Sequence, residues 1–300
     1  EYILKIAEEN NITKAAEKLF ITQSALNQQL LKLEKELGTP LFHRSRTNWR
    51  LTEAGEIYIE GAKAALQIKN TTYNRIYDVV SARKGHLTIG LTPGRGLRMF
   101  TAIYPELHRS FPNLDVRPIE MRVRAQQDAI AKGEIDVGLM TLARRDQTSD
   151  TYYPLKQEEL VLIIPAGHPL AEKAAPSGEP LATLDLTELR YEPFVLMDKT
   201  STLRSSCDLL FEKAGFAPNI LFETNNTSGI AAMVQSTLCC GIIPRYYTLG
   251  LTEGVACFSL PERPSWEIVI SCQKNAYLNS GAREFIRLAR EYWENSAPLF

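Results

Sequence analysis

Apolar residues recur at helical spacing along roughly the first eighty positions, and beyond residue 85 short apolar runs alternate with helical ones. Residues 1–9 set Ile3, Leu4 and Ala7 on one side, which predicts a first helix. A polar break, ENNIT, follows, and Thr13 stands where an N-cap would open a second helix over KAAEKLF. ITQSALNQQLLKLEKELG, residues 21–38, carries Leu26, Leu30, Leu33 and Leu37 at helical intervals, one buried stripe ending at Gly38. From Thr52 to about Arg83 a single long helix is expected. Along it Ile59, Leu66, Tyr73 and Val80 repeat every seven residues, with Ala62 and Ile76 between them and Lys69 interrupting. A heptad seam of this kind calls for a partner helix.

The remaining chain reads as an α/β pattern used twice. HLTIGLT, LDVRPIEM and IDVGLM read as strands, separated by helical GLRMFTAIYPELHRSF and RAQQDAIAKGE. The same order returns as FVLMD, LRSSCDLLFEKAGF, PNILFETN, SGIAAMVQSTL and GIIP. FPNLDVRPIE and FAPNILFETN sit at matching points, 106 residues apart when Asn113 is aligned with Asn219. Two such units predict two lobes with parallel sheets. LKQEELVLIIPAGHPL and WEIVISCQKNAYLN read as strands crossing between the lobes. Ligands of open α/β sheets lie beyond the carboxyl ends of strands, near helix N-termini. Those places are TPGRG, MTLAR and DKTSTLR. They offer Thr92, Gly94, Arg95, Thr141, Lys199, Thr200, Ser201 and Thr202, a set of hydroxyls, backbone N–H groups and cations suited to a small anion. Thr200 and Ser201 also stand where they would cap the helix at Leu203, and Thr92 where a strand would end.

The third helix has an unusual outer face. Gln23, Ser24, Asn27 and Gln28 crowd its N-terminal turns, where a helix needing only solubility would carry Glu and Lys. In a helix-turn-helix the N-terminal residues of the second helix reach base edges in the major groove. Gln and Asn can bond adenine bidentately, and Ser can bond several bases. The stretch TPLFHRSRTNWRLTEAG adds His43, Arg44, Arg46 and Arg50 in a turn-rich arm suited to phosphates or the minor groove. A helical hairpin with a polar face and a solvated loop would produce the same composition.

Charge sharpens the division. The chain of 300 residues carries a net −1, yet residues 1–84 hold thirteen Lys/Arg against ten Asp/Glu, and the remainder twenty-one against twenty-five. The length suits two or more domains. No run of about eighteen apolar residues exists to span a membrane. The opening segment, EYILKIAEENN, is charged throughout, unlike a secretory leader, and its start at Glu1 predicts residues upstream. Five cysteines without CxxC spacing suggest reduced thiols, a cytoplasmic setting and no zinc site.

Residues 13–55, TKAAEKLFITQSALNQQLLKLEKELGTPLFHRSRTNWRLTEAG, resemble the winged helix-turn-helix of LysR-type transcriptional regulators. The AA pair, SALxxQ, LExELG, LFxR and LTEAG carry the resemblance. It implies a DNA-binding domain over 1–55, a linker and dimerisation helix over 52–84, and an effector-binding domain over 85–300. That last domain would be of the type 2 periplasmic-binding-protein class, with lobe I at about 85–164 and 266–300 and lobe II at about 165–265. Base-reading positions of the family match Gln23, Ser24, Asn27 and Gln28, a wing arginine matches Arg46, and Thr92, Thr141 and Thr202 fall where members contact effectors. Leu31 and Asn27 depart from the basic residue and serine that many members carry there. The partners implied are a double-stranded operator, a small anionic effector and further copies in a homodimer or homotetramer. RNA polymerase remains a partner to test. Peroxide-sensing members place a reactive cysteine where Thr202 stands; Cys207 lies five residues on.

No catalytic constellation, metal-ligand spacing or cofactor motif emerges. His43, His86, His108 and His168 are scattered, and GRGLRM lacks the third glycine of a dinucleotide fingerprint. A regulator is therefore expected. The alternatives are a cytoplasmic small-molecule-binding protein or an enzyme on a binding-protein-like fold.

Overall fold

The structure, a computed structural model, describes residues 1–45, 49–80, 83–176, 178–251 and 253–296. Three helices open the chain: α1 (Tyr2–Glu9), α2 (Ile12–Lys18) and α3 (Gln23–Leu37). Asn11, in extended conformation, caps α2 by accepting from the backbone N–H groups of Thr13 and Lys14. Thr13 is therefore one residue inside the helix rather than its cap; the Asx side chain two positions earlier has the shorter reach to the free N–H groups. Thr22 caps α3, and Gly38 ends it at φ 71°, a left-handed conformation that costs other residues. Leu26 and Leu30 are fully buried, whereas Leu37 of the expected stripe is exposed. A two-strand antiparallel arm, β1 (Phe42–His43) and β2 (Arg50–Leu51), precedes α4 (Glu53–Val79). Ile6, Leu26, Leu30, Leu41 and Ile59 form the core beneath.

The two-lobed part begins with β3 (Lys84–Leu91), α5 (Arg95–Ser110), β4 (Asn113–Glu120), α6 (Val123–Ala131) and β5 (Val137–Leu142). A long strand, β6 (Thr151–Pro165), leads into β7 (Pro193–Met197), α7 (Thr202–Lys213), β8 (Asn219–Thr224), α8 (Thr227–Gln235), β9 (Gly241–Pro244) and β10 (Val255–Ser259). β11 (Ser265–Cys272) and α9 (Ser280–Glu294) complete the chain. β3 runs parallel to β4 and β5, and β7 parallel to β8, as the repeat predicts. The sheets are nevertheless mixed. β11 is antiparallel to both β5 and β6, and β6 is antiparallel to β9 and β10. β6 and β11 leave one lobe for the other and return, so each must oppose the strand beside it. The first part of β6, Thr151–Glu159, pairs with β11, while Leu160–Pro165 pairs with β9 and β10 in the second lobe.

Each lobe has its own core. Ile89, Met99, Leu107, Phe285 and Trp293 are packed together in lobe I; Phe194, Leu196, Phe211, Ile242 and Phe258 in lobe II. Burying a side chain of this size contributes about 1.5–3 kcal/mol.

The C-terminal end of α4 is fastened to lobe I by two polar side chains. Buried Asn74 donates to the His86 carbonyl at 3.1 Å and accepts from the His86 N–H at 3.0 Å, so it pairs with both backbone polar groups of that residue. A Cβ at Gly85, whose φ is 145°, would come 2.5 Å from the Asn74 oxygen. Asp78 accepts from the Ser280 N–H and hydroxyl, from the Tyr277 hydroxyl at 2.7 Å and from Arg283 at 3.2 Å.

Candidate nucleic-acid face and interlobe cleft

At the N-terminal end of α3, Gln23, Ser24 and Gln28 are exposed and Asn27 is half-buried, whereas Leu26 and Leu30 are fully buried. The Thr13 hydroxyl donates to the Gln23 side-chain oxygen at 3.2 Å, which narrows the rotamers open to Gln23. Arg44, expected on the wing, has its guanidinium on buried Glu34 and lies 5.5 Å from the Trp49 ring centre. Glu34 also accepts from the Leu41 N–H at 2.8 Å. Arg44 thus joins the arm to α3, and its charge is matched within the domain. Arg46 lies outside the described residues. Arg50 is exposed on β2.

The expected seam on α4 needs correction. Ile59 is 7% exposed and packs into the N-terminal core, so it faces its own domain rather than a partner. Leu66 is half-buried, and Tyr73 and Val80 are exposed. A different stripe is bare: Ile57, Ile68 and Val79 are 67%, 69% and 85% exposed. These three are spaced by eleven residues, three helical turns, and so lie on one line. Exposed Gly61, Ala64 and Ala65 share that side.

Between the lobes lies a cleft of about 700 Å³. All seven residues expected for an effector line it: Thr92, Gly94, Arg95, Thr141, Thr200, Ser201 and Thr202. Lys199 does not. The sequence reading missed Arg98, Arg122, Asn226, Tyr246, Tyr247 and Trp266, which also line it. α5, α6, α7 and α8 all begin at its walls, and neither α5 nor α6 has a side-chain hydrogen bond from its N-cap residue. Among the described residues its lining includes three arginines and no carboxylate.

The three arginines differ in use. Arg95, 6% exposed, hydrogen-bonds Glu158 on β6, which is wholly buried and also accepts from the Trp266 indole at 2.7 Å and the Tyr246 N–H at 2.9 Å. The Arg95 guanidinium packs 5.1 Å and 5.4 Å from the Tyr246 and Tyr247 rings. Its charge is neutralised from below, which corrects the expectation of a cation free to meet a ligand. Arg122 bridges the lobes to Asp198 and Thr200. Arg98 is exposed and has no ion pair among the described residues. Ser201 caps α7 by accepting from the Leu203 N–H at 3.2 Å, and the Thr202 hydroxyl donates across the lobes to the Thr141 carbonyl at 3.1 Å.

The thiols lack the setting of a redox centre. Burial pushes Cys207 and Cys240 up to about 12 and Cys257 to about 11, whereas thiolate chemistry needs a lowered value. Cys239 and Cys240 belong to two different apolar clusters. No cluster of metal-ligating side chains exists among the described residues.

Residues 1–56 match the profile of the bacterial regulatory helix-turn-helix protein, lysR family, and residues 81–294 that of the LysR substrate binding domain. The uncharacterized HTH-type transcriptional regulator YcgK of Bacillus subtilis (strain 168) is 29% identical, over 97% of this chain and 93% of its own. A full-length OxyR variant from Pseudomonas aeruginosa is 20% identical with a TM-score of 0.67, covering 100% of this chain and 97% of that one. Full-length CbnR complexed with its target DNA is 21% identical with a TM-score of 0.53, covering 97% of each chain.

Proposed function

This chain belongs to the LysR family of bacterial helix-turn-helix regulators, and from that premise we propose that a small anion in the interlobe cleft sets its hold on an operator. The protein is a DNA-binding transcriptional regulator with an effector-binding domain. The anionic character of the effector is our reading, and one observation carries it. The cleft gathers four helix N-termini, Arg98 and Arg122, with no carboxylate among the described residues lining it. Helix N-termini and arginines favour negative charge, and the aromatic wall of Tyr246, Tyr247 and Trp266 would cover an apolar body.

In this reading residues 1–55 hold DNA, 52–84 join two copies and 85–300 hold the effector, in a cytoplasmic setting. The full-length chain should be melted with benzoate, succinate and the neutral analogue benzamide. A carboxylate at one hundred times its dissociation constant should add about 2.7 kcal/mol of stability. Equal stabilisation by benzamide, or none by any carboxylate tried, would count against an anion site.

On the DNA side, Gln23, Ser24, Asn27 and Gln28 read bases in our proposal, and the CbnR complex with its target DNA supports a fold able to dock so. Gln28→Ala is expected to weaken the specific operator by roughly 1–3 kcal/mol and relax preference at one base step. Arg50→Ala should weaken all sequences evenly if it meets phosphate. A gel-shift titration in which Gln28→Ala binds its operator like the parent protein would remove α3 from base readout.

A further inference from the structure

We propose that Asp198 is the resident counter-ion of the cleft, holding Arg122 across the lobes until an incoming oxyanion displaces it. This rests on the reading that an oxyanion enters the cleft. Arg122 stands just past β4 in lobe I and Asp198 just past β7 in lobe II, so their contact spans the two lobes. The Arg122 Nη1 donates to the Asp198 Oδ1 at 2.7 Å and to the Thr200 hydroxyl oxygen. The same Oδ1 accepts from the Thr200 N–H at 3.0 Å and from its hydroxyl at 2.5 Å.

The pairing is lopsided on both sides. Every hydrogen bond to the carboxylate falls on Oδ1, while Oδ2 is buried with no partner among the described residues. A dry, unpartnered carboxylate oxygen weakens the contact. Arg122 spends one nitrogen of a guanidinium able to hold an oxyanion through two parallel bonds. Arg122 lines the cleft and Asp198 does not, so a ligand approaches the arginine from the open side. A carboxylate or phosphate can therefore offer Arg122 a forked pairing better than the one it leaves.

Charge on the latch is constant under ordinary conditions. The hydrogen bond from Arg122 holds the Asp198 carboxyl at about 2, below its usual value of 3.8. A lowered carboxyl stabilises above its unfolded value and loses that contribution only as pH falls toward the folded one. Near neutrality the latch therefore answers to ligand, not to protons. Its release would leave other cross-lobe bonds in place, among them Thr202 to Thr141 and Arg145 to Ser206, at 3.1 Å each, and the Tyr246 N–H to Glu158 at 2.9 Å.

The test uses the full-length chain, with benzoate and inorganic phosphate titrated separately by calorimetry and hydrogen exchange followed without ligand. Asp198→Asn keeps an oxygen to accept from Thr200 but removes the competing charge. It should bind the preferred oxyanion at least fivefold more tightly and speed exchange at residues 198–202. Arg122→Gln should bind that oxyanion at least tenfold more weakly. Tightening for benzoate alone identifies a carboxylate, and for phosphate alone a phosphoryl group. If the parent protein binds either probe and Asp198→Asn binds it no more tightly, displacement is wrong while the anion reading survives. If neither parent nor variants bind either oxyanion, both fall together.

Discussion

Glu158→Ala is expected to lower the melting temperature of the two-lobed part by roughly 6–20 °C, a loss of about 3–5 kcal/mol. Glu158 is wholly buried, and its removal strands three donors at once: the Arg95 guanidinium, the Trp266 indole and the Tyr246 N–H. The cation would remain under tyrosine rings with no counter-charge, which costs far more than losing a surface pair. Glu158→Gln should fall between, since it keeps an acceptor and drops the charge. The double replacement Glu158→Leu with Arg95→Met should recover much of the loss, because apolar groups of similar volume replace a buried ion pair well. Calorimetry settles the matter. A Glu158→Ala transition within a degree of the parent's would mean that Arg95 finds another counter-ion.

Second in size is assembly through α4. We expect Ile68→Asp combined with Val79→Asp to abolish dimers formed through this helix and to weaken a two-half-site operator by ~10²–10⁴-fold. Both side chains stand on the bare stripe, and covering an unpaired carboxylate there costs several kcal/mol. Tyr73→Asp should matter less, since Tyr73 lies on another side of the helix beside Tyr77, their ring centres 6.0 Å apart. Sedimentation velocity distinguishes the two. Intact dimers in the Ile68/Val79 variant, with dimers lost in Tyr73→Asp, would restore the seam read from the sevenfold spacing.

That seam shows where sequence reading stops. Ile59, Leu66, Tyr73 and Val80 are apolar at a heptad interval, but a sevenfold interval fits any stripe of an α-helix nearly as well. Which stripe stays bare depends on the N-terminal core, and Leu26 and Leu41 claim Ile59. The lobes were legible because their repeat is local: each strand and helix carries its own apolar period. β10 was not, since VACFS is too short and irregular to stand out. Arg95 misled because its partner Glu158 is 63 positions away, beyond any pattern a neighbouring residue could show. Arg122 and Asn226, by contrast, were within reach. They follow β4 and β8, and the carboxyl-end rule that singled out TPGRG and MTLAR applies equally to EMRVR and TNNTSG.

The polar joint formed by Asn74 and Asp78 makes α4 and lobe I a single lever arm. Both backbone polar groups of His86 on β3 are bonded by Asn74, and the first turn of α9 is held by Asp78, so the arm meets the lobe through several hydrogen bonds at once. Were the cleft to widen or narrow, lobe II would move against the unit that α4 and lobe I form. In the proposed reading, a shift of lobe II would act on whatever packs against that lobe, a second copy of the chain included.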